Sequence, residues 1–332
     1  MVARPGVTVL VTGATGFIGS NLVHRLVERG DRVRVLKRPS TRAVLLEGLP
    51  VEVAEGDVTD AESVLRAAEG VEGIYHVAGM VSYWRPARAR QFRVNVDGTR
   101  NVVAAAVRHG VRRIVHTSSI AAIGFRTDGG VSDEDTPWNW GPLDVGYCIT
   151  KRAAEEEVMR ANEQGVEAVA VNPGMVFGAR DHYCNAGRLF VMVSRKSTIR
   201  GLDGTTTTCD VDDVCAGHVA AMERGRPGRR YVLGGEALPY PRIVELVAET
   251  MGRPVRMKVV PYAVAAGAAR AAYLVSLVTR REPDVTPELV RMTAQRRAYS
   301  SRRAIEELGY PQTPLREAME KAYRWYRDNG RL

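Results

Sequence analysis

The stretch TGATGFIG (residues 12–19) decides the fold. It follows the apolar run VTVLVTG (7–13) and precedes SNLVHRLVERG (20–30), a helical pattern that ends in a glycine. Three glycines at this spacing allow the backbone to turn tightly and to approach a pyrophosphate, which binds at the positive N-terminus of the helix. The strand before and the helix after it distinguish this turn from a bare structural turn, so the stretch predicts dinucleotide binding.

Strand and helix signals alternate along the first half of the chain. Further strand signals lie at 32–38, 51–57, 73–79, 112–119 and 168–174. Helical patterns lie between them at 61–70, at 97–110 and after residue 147. The alternation predicts an α/β fold with a doubly wound parallel sheet of the Rossmann type.

After Gly174 the alternation weakens, with a helix expected at 210–225, a strand at 229–235 and mostly helix from 236. We therefore expect a dinucleotide-binding domain at 1–175 with a return segment at about 208–235. A smaller, mostly helical substrate-binding part would comprise 176–207 and 236–332.

Composition and charge exclude several function classes. The 332 residues are 45% hydrophobic and 26% charged, which is typical of a globular protein. The net charge is +9, but the arginines are spread along the chain, so we expect no nucleic-acid partner. The four cysteines form no CxxC pair and no zinc spacing, so we expect no metal and a reduced, cytoplasmic location.

Two segments bear on membrane association. The N-terminus MVARPGVTVLVTG runs directly into a strand and has no signal-peptide pattern. The most apolar late stretch, 259–279, contains Pro261 and Arg270, so we predict no membrane span there. That stretch is interpreted as a buried helix or as a wall for an apolar ligand.

The end of the second strand indicates which dinucleotide binds. An NAD site usually has Asp or Glu there, to bind the ribose hydroxyls. This strand ends in Leu36-Lys37-Arg38, with no acid, and two cations suit a 2′-phosphate. The sequence favours NADP as the cofactor, with NAD possible and a surface basic pair as the plain alternative.

Tyr147 and Lys151, in YCITK, stand one helical turn apart. A nearby positive charge favours the phenolate and would bring the tyrosine toward acid–base chemistry at neutral pH. The chain has five lysines against 42 arginines, yet it has a lysine here. Tyr-x-x-x-Lys is common in unrelated proteins, so the pair needs the rest of the sequence to support it.

In order and spacing the motifs resemble the extended short-chain dehydrogenase/reductases over nearly the whole chain. They are TGATGFIG, Asp57-Val58, HVAG (76–79), NVDGT (95–99), TSS (117–119), YCITK, NPGMVFG (172–178) and DVDDV (210–214). Within that family, the NAD-dependent epimerase/dehydratase superfamily, the chain is most similar to the branch of dihydroflavonol reductases and 3β-hydroxysteroid dehydrogenases. It is also similar to hopanoid-associated sugar epimerases.

The resemblance implies roles for particular residues. Ser119, Tyr147 and Lys151 would be catalytic, with Ser118 and Thr117 as alternatives to Ser119. The cofactor would be bound by Gly13, Thr15, Gly16, Phe17, Ile18, Gly19, Lys37, Arg38, Asp57, Val58, Ala78, Gly79, Asn95, Tyr147, Lys151, Pro173 and Val176. The implied activity is hydride transfer between a ketone or aldehyde and a secondary alcohol, with Tyr147 as the general acid/base.

The substrate is the least determined point. The candidate substrate-binding residues are Met80, Tyr83, Trp84, Trp140, Met175 and Tyr183. With Trp138 they suit an apolar or ring-shaped small molecule, although the tryptophans could equally pack a domain interface. The acidic cluster SDEDTPW (132–138) could contact a polar substrate, but a solvated loop is the simpler interpretation.

Two other functions and a dimer stay open at this point. A nucleotide-sugar epimerase would keep NAD tightly bound and could use Arg180, Arg188 or Arg195 for the diphosphate. A non-catalytic NADP-binding regulator would typically lack the tyrosine. The family resemblance also implies a possible homodimer through the helices at 97–110 and 147–164, where the small or apolar residues are Ala104, Ala105, Val107, Ala153 and Ala154.

Overall fold

The computed structural model of the protein describes residues 8–332. The absence of a signal-peptide pattern rests partly on residues 1–7, which, with the first residue of the predicted strand 7–13, lie outside the described residues. The strands are β1 Thr8–Thr12, β2 Arg32–Lys37, β3 Glu52–Glu55, β4 Gly73–His76, β5 Arg113–Thr117, β6 Val131–Ser132, β7 Glu167–Pro173, β8 Met175–Phe177, β9 Thr198–Gly201, β10 Thr205–Asp210, β11 Arg230–Leu233, β12 Ala237–Pro239, β13 Arg256–Val259 and β14 Ala298–Tyr299. The helices are α1 Phe17–Glu28, α2 Ala61–Ala68, α3 Arg88–Phe92, α4 Gly98–His109, α5 Gly146–Met159, α6 Arg188–Arg195, α7 Val211–Arg224, α8 Tyr240–Thr250, α9 Tyr262–Thr279, α10 Pro287–Thr293, α11 Arg302–Leu308 and α12 Leu315–Asp328.

Seven strands form one sheet in the order β11-β7-β5-β4-β1-β2-β3, and all its neighbours pair in parallel. This order confirms the predicted doubly wound Rossmann sheet. The order reverses at β1, which pairs with β2 on one side and with β4 on the other. In such sheets ligands bind at the carboxyl ends of the strands beside that reversal.

Both faces of the sheet are covered, which explains why its central strands are apolar throughout. Val9 and Val11 of β1 pack into the cluster that contains Leu22 of α1. Leu10, which points to the opposite face, packs with Ile74 of β4. Alternate residues of β1 are thus buried in two separate cores. Because both faces of the strand are packed, the turn that follows it is held in a fixed position.

The second half of the chain returns to the sheet once and then builds the smaller part. β11 pairs with β7 at the sheet edge, and α7 packs against α1, while the division of the chain into two parts stays a prediction. α6, which precedes α7 and β11, and α8 and α12, which follow them, share a core that includes Phe190, Val247 and Met319. β8, β10 and β12 form a small sheet that links this core to the end of β7.

The segment 259–279 differs from the sequence interpretation. α9 is not a buried helix, because only Ala269 and Ser276 among its residues are buried. Its length and composition would suffice to cross a membrane, and 11% of it is buried inside the protein. The sequence showed that the helix is apolar, but could not show which of its faces contact the protein.

Part of the predicted dimer surface also faces inward. Ala105 of α4 is 2% exposed and Ala154 of α5 is 0% exposed, since both pack inside the chain. They cannot provide the close packing between two copies that the sequence suggested. The homodimer itself stays a prediction.

Candidate active site

The glycine turn after β1 is tightly built. Gly13 has φ +68°, and a Cβ on it would lie 2.6 Å from the backbone nitrogen of Ala78. A Cβ on Gly19 would lie 2.2 Å from the carbonyl oxygen of Gly13. Gly16 closes the turn by donating from its backbone N–H to the same oxygen at 3.0 Å. Only glycine fits at positions 13 and 19, because the turn packs closely against the residues after β4 and against the start of α1.

The start of α1 suits an anion. Gly16 is its N-cap residue and provides no side-chain cap, and the first turn of the helix has no acidic residue. The amides at a helix start lack partners within the helix and carry the positive end of its dipole. Phe17 is buried in the core, while Thr15 and Ile18 are half-buried beside the turn. The predicted glycine-turn residues therefore lie together at the start of α1, and their arrangement fits a pyrophosphate.

The two cations after β2 have different surroundings. The Lys37 ammonium donates to the backbone oxygens of Arg38 and Thr41 at 3.3 and 3.4 Å and lies 3.5 Å from Glu55. Lys37 and Glu55 are directly paired between β2 and β3. Arg38 is exposed. Glu55 on the neighbouring strand therefore partly neutralises Lys37, and no pattern within the second strand indicates this acid.

The predicted adenine-side residues follow β3. One carboxylate oxygen of Asp57 accepts from the backbone N–H and the hydroxyl of Thr59 at 2.9 and 2.8 Å. Val58 is buried, and a Cβ on Gly98 of α4 would meet its side chain at 2.9 Å. The loop is therefore held by its own contacts and by its packing against α4.

Asn95 connects the end of β4 to α5. It lies in a π-helical turn, Arg93–Asp97, between α3 and α4. Its side chain accepts from the Met80 N–H at 2.7 Å and donates to the Met80 carbonyl at 3.0 Å. It also donates to the Thr150 hydroxyl at 3.1 Å. The asparagine therefore fixes the loop after Ala78 and Gly79 against the helix that carries Tyr147.

Tyr147 and Lys151 both lie in α5, so the predicted spacing of one helical turn is present. The Lys151 ammonium donates to the carbonyl oxygen of Thr117, at the end of β5, at 2.7 Å. A Cβ on Gly79 would lie 3.8 Å from the same ammonium. Lys151 thus joins the ends of β4 and β5, where a ligand of the sheet would lie.

Of the three hydroxyls in TSS, that of Ser119 faces Tyr147. The Ser119 hydroxyl accepts from the Ala121 N–H at 3.2 Å and, by interacting with the phenol, favours a lower pKa of Tyr147. The Thr117 hydroxyl is 2.7 Å from His218 Nε2 instead. Ser118 is buried. The structure therefore brings Ser119 and Tyr147 together, with Lys151 one turn further along α5.

Burial sets the protonation of the pair. It raises the pKa of Tyr147 to about 12, and the Ser119 hydroxyl offsets this in part. Burial lowers the pKa of Lys151 to about 8, and the Glu155 carboxylate offsets that in part. The lysine charge was expected to lower the pKa of Tyr147; within the protein, desolvation raises that pKa and the Ser119 hydroxyl, not Lys151, opposes the rise. At neutral pH Tyr147 holds its proton and Lys151 is an ammonium.

Two carboxylates that support α5 were missed in the sequence. Glu155, 1% exposed, accepts from Asn172 Nδ2 at 2.7 Å and lies 3.3 Å from Arg230. The sequence could have indicated Glu155, because it stands one helical turn after Lys151. Glu288 accepts from the Gly146 N–H at 2.8 Å at the start of α5. That contact joins residues 142 apart in sequence, so no local pattern predicts it.

Arg297 is a third residue that the sequence did not indicate. It is 1% exposed and donates to the Tyr240 hydroxyl at 3.0 Å, while its guanidinium carbon lies 5.5 Å from the Trp140 ring centroid. Its charge favours a lower pKa of both Tyr83 and Cys148, so it lies close to the residues around Tyr147. Among residues 8–332 no carboxylate forms an ion pair with it, and its Nε has no partner. A buried cation without an acid can bind an electron-rich group of a ligand.

The candidate substrate residues separate into two groups. The Tyr83 ring packs edge-on against Tyr147 at 5.7 Å, and Met80 is held by Asn95. Trp84 donates from its indole N–H to the Ser276 hydroxyl of α9 at 3.0 Å. These three residues lie in one loop, which contacts Tyr147 through Tyr83 and α9 through Trp84.

The second group comprises Trp140, Tyr183 and Met175, whose contacts are with residues other than Tyr147. Trp140, a candidate substrate residue with interior packing as the alternative, is fully buried and donates to the Ile123 carbonyl at 2.9 Å, so it packs the interior. Tyr183 is 57% exposed and packs edge-on against His182. Met175 is half-buried at the start of β8. For Trp140 the packing alternative is therefore the better account.

Two predicted cofactor contacts lie at the end of β7. Pro173 is the last residue of that strand, and Val176 lies on β8, where it pairs with Cys209. The parallel strands β1, β4, β5 and β7 end at the same edge of the sheet, so these residues and Tyr147 occupy one side of the molecule.

The acidic cluster at 133–135 has a structural role at its centre. Glu134 is buried and accepts from the Val232 N–H at 2.8 Å, and it lies 3.7 Å from Arg303. That glutamate ties the loop to β11, so it is not available for a substrate. Within residues 8–332 no group of three or more His, Cys, Asp or Glu side chains is placed to hold a metal ion.

Comparison with known proteins identifies the relatives of this chain. The family model described as NAD dependent epimerase/dehydratase family matches residues 9–234. A putative dihydroflavonol 4-reductase from Synechocystis sp. is 35% identical, with 96% of this chain and 94% of the relative covered. Sterol demethylase protein B from Methylococcus capsulatus is 34% identical, with 98% and 100% covered. The crystal structure of gox2253 has a TM-score of 0.84 and 35% identity, with 98% and 99% covered.

Proposed function

Because the chain belongs to the NAD dependent epimerase/dehydratase family, the extended short-chain dehydrogenase/reductases, we propose that it is an NADP-dependent oxidoreductase. It interconverts a ketone or aldehyde with a secondary alcohol on an apolar or ring-shaped small molecule. Members of this family are NAD(P)-dependent enzymes; the choice of NADP, the substrate and the residue roles are the proposal.

One observation carries it: the Ser119 hydroxyl interacts with the Tyr147 phenol, and the Lys151 ammonium, one turn further along α5, lies beside the ends of β4 and β5. The phenol is protonated at neutral pH, since burial raises the pKa of Tyr147 to about 12. A proton donor, a hydroxyl that can bind the same oxygen and a neighbouring cation are the groups that carbonyl reduction requires.

The residues present fit a nicotinamide dinucleotide. The glycine turn leaves no room for side chains at Gly13 and Gly19, and the uncapped start of α1 suits the pyrophosphate. Arg38 is exposed at the end of β2, where a guanidinium would bind a 2′-phosphate in a bidentate manner. When bound, the cofactor supplies or accepts the hydride.

In the direction of reduction, Ser119 donates a hydrogen bond to the substrate carbonyl oxygen and holds it against Tyr147. Tyr147 then donates its phenolic proton to that oxygen, which becomes the hydroxyl of the product alcohol. The Lys151 ammonium stabilises the phenolate left behind, and a proton from solvent restores the phenol. In the direction of oxidation the same phenolate accepts the proton of the alcohol.

Support for the substrate class is indirect. Tyr83 presents an aromatic ring at 5.7 Å from that of Tyr147, in a loop that also carries Trp84. The relatives named dihydroflavonol 4-reductase and sterol demethylase protein B bear names of ring-shaped compounds. An apolar ring system packed against Tyr83 is consistent with both.

A nucleotide-sugar epimerase with tightly bound NAD is the second candidate, and one observation favours it. Glu55 lies 3.5 Å from Lys37, so an acid does stand near the end of β2. Against it, Arg188 is paired with Asp284 and Arg180 donates to Asn21, which leaves fewer cations for a nucleotide diphosphate. A non-catalytic regulator, the third candidate, does not account for the contact between Ser119 and Tyr147.

The test examines the purified protein without additions. Nucleotide released by denaturation would be separated by chromatography, and a second sample would be titrated with NADPH and NADH. The proposal expects little retained nucleotide and tighter binding of NADPH. Stoichiometric NAD retained through purification would contradict it and would support the epimerase.

A further inference from the structure

The outward face of α9 is apolar. The large apolar side chains of this helix that are exposed are Tyr262, Val264, Leu274, Val275, Leu277 and Val278, and Val278 is 85% exposed. Val264, Val275 and Val278 fall on one face at helical spacing, with Ala268 and Ala271 between them. A helix on the surface of a soluble protein normally presents polar residues outward. An apolar patch of this extent marks an interaction surface.

The opposite face of α9 is attached to the protein. Ala269 packs in a cluster with Leu202 and Val290. Ser276 accepts the indole N–H of Trp84 at 3.0 Å, seven residues further along the same face. The helix is therefore held at two places along its length. Such a helix can lie along a membrane surface without leaving the body of the protein, whereas crossing a bilayer would break these contacts.

The charges around α9 indicate the partner. Arg270 lies on the helix, Arg256 and Lys258 precede it, and Arg280 and Arg281 follow it, all of them exposed. Residues 256–281 contain no Asp or Glu. A two-fold contact between two copies would bring these like charges together, because each copy presents the same surface. A bilayer that contains anionic lipid complements both the cations and the apolar face.

The surface also adjoins the candidate site. Glu282, just after α9, accepts from the Ser82 hydroxyl at 3.1 Å and from the Tyr83 N–H at 3.4 Å. Tyr83 in turn packs against Tyr147. We propose that α9 lies in the interfacial layer of an anionic membrane, and that apolar substrate enters the site from the bilayer. The substrate part of this inference rests on the proposed function; the membrane part does not.

The experiment measures sedimentation of the full chain with vesicles of phosphatidylcholine alone and of phosphatidylcholine mixed with phosphatidylglycerol. The inference expects binding to the mixed vesicles, weaker as salt is raised. The double variant Val275→Glu, Val278→Glu should lose about tenfold or more of this binding, because acids replace the apolar face and repel the anionic lipid. Ile305→Glu, on the exposed face of α11, is the matched control and should bind as the wild type does.

Two results would overturn the inference. One is the absence of binding to the mixed vesicles. The other is a concentration-dependent dimer in light scattering that the double variant abolishes, which would show that a second copy covers α9. Turnover of a water-soluble ketone should be equal in the double variant and the wild type. That readout separates failure of the membrane surface from failure of the catalytic proposal.

Discussion

Lys151 Nζ donates to the carbonyl oxygen of Thr117 at 2.7 Å, and this contact joins α5, which also carries Tyr147, to the end of β5. One of the three ammonium protons is thereby committed to the protein. The other two remain for ligand groups beside Gly79, whose Cα faces the same ammonium. The geometry explains why a compact, rotatable cation is placed here in a chain that otherwise favours arginine.

Lys151→Arg should lower kcat/KM about 100-fold, within the range that acid–base catalysis contributes. The guanidinium keeps the charge, but its longer planar group cannot occupy the position that bonds Thr117. Steady-state kinetics would measure the loss. Lys196→Arg is the control, since Lys196 is exposed, and it should be neutral. Equal kinetics for Lys151→Arg and the wild type would remove Lys151 from the mechanism.

The pH dependence of the reduction rate should show the deprotonation of Lys151. Burial lowers the pKa of this group to about 8, so the ammonium is present below that pH and is lost as the pH rises through it. The kcat/KM for reduction should therefore fall on the alkaline side of about 8. Tyr147 should not produce this limb, because its pKa is raised to about 12. A profile that stays flat to well above pH 8 would contradict the assignment.

Arg38 and Lys37 should contribute unequally to cofactor choice. Arg38→Ala should weaken NADPH binding by about tenfold or more, the loss of one charged contact, and leave NADH binding nearly unchanged. Lys37→Ala should have a smaller effect, since its ammonium already interacts with Glu55 and with backbone oxygens. Equilibrium titration of each variant with NADPH and with NADH measures these affinities. If NADH and NADPH respond equally to Arg38→Ala, Arg38 does not bind the 2′-phosphate.

Arg297→Met should lower kcat/KM without loss of stability. Methionine is similar in length and removes a buried cation whose Nε lacks a partner, so the melting temperature should be unchanged or higher. Catalytic efficiency should fall about tenfold if the guanidinium binds an electron-rich group of the substrate. Tyr240→Phe is a matched control, because it removes the 3.0 Å hydrogen bond and keeps the cation. A destabilised but fully active Arg297→Met protein would make the residue structural only.

Whether a feature can be predicted from the sequence depends on how far apart along the chain its interacting residues lie. The glycine turn and the YxxxK pair are local patterns on a strand and a helix, and both were predicted with their surroundings. Glu288 contacts the start of α5, and Arg297 interacts with Cys148 of that helix, only because of the fold of the C-terminal part. No pattern near either residue in the sequence predicts its role. The exposure of α9 was missed for a related reason: composition shows that a helix is apolar, but not which neighbours cover it.

The protonation of Tyr147 shows a different limit. The sequence placed a lysine one turn away and therefore suggested a lowered pKa. Within the protein the phenol is buried, and desolvation raises the pKa to about 12. Burial is a property of the whole packing, so the sign of the shift could not be obtained from spacing alone.

The most direct test of the catalytic assignment compares Tyr147→Phe with Tyr83→Phe. Both tyrosines lie in the same aromatic contact, but only Tyr147 faces Ser119. The measurement is the single-turnover rate of carbonyl reduction at saturating NADPH. The account predicts that Tyr147→Phe slows this rate by about 100-fold or more with NADPH affinity retained, while Tyr83→Phe stays within about tenfold of the wild type. A Tyr147→Phe protein that reduces the carbonyl at the wild-type rate would contradict it.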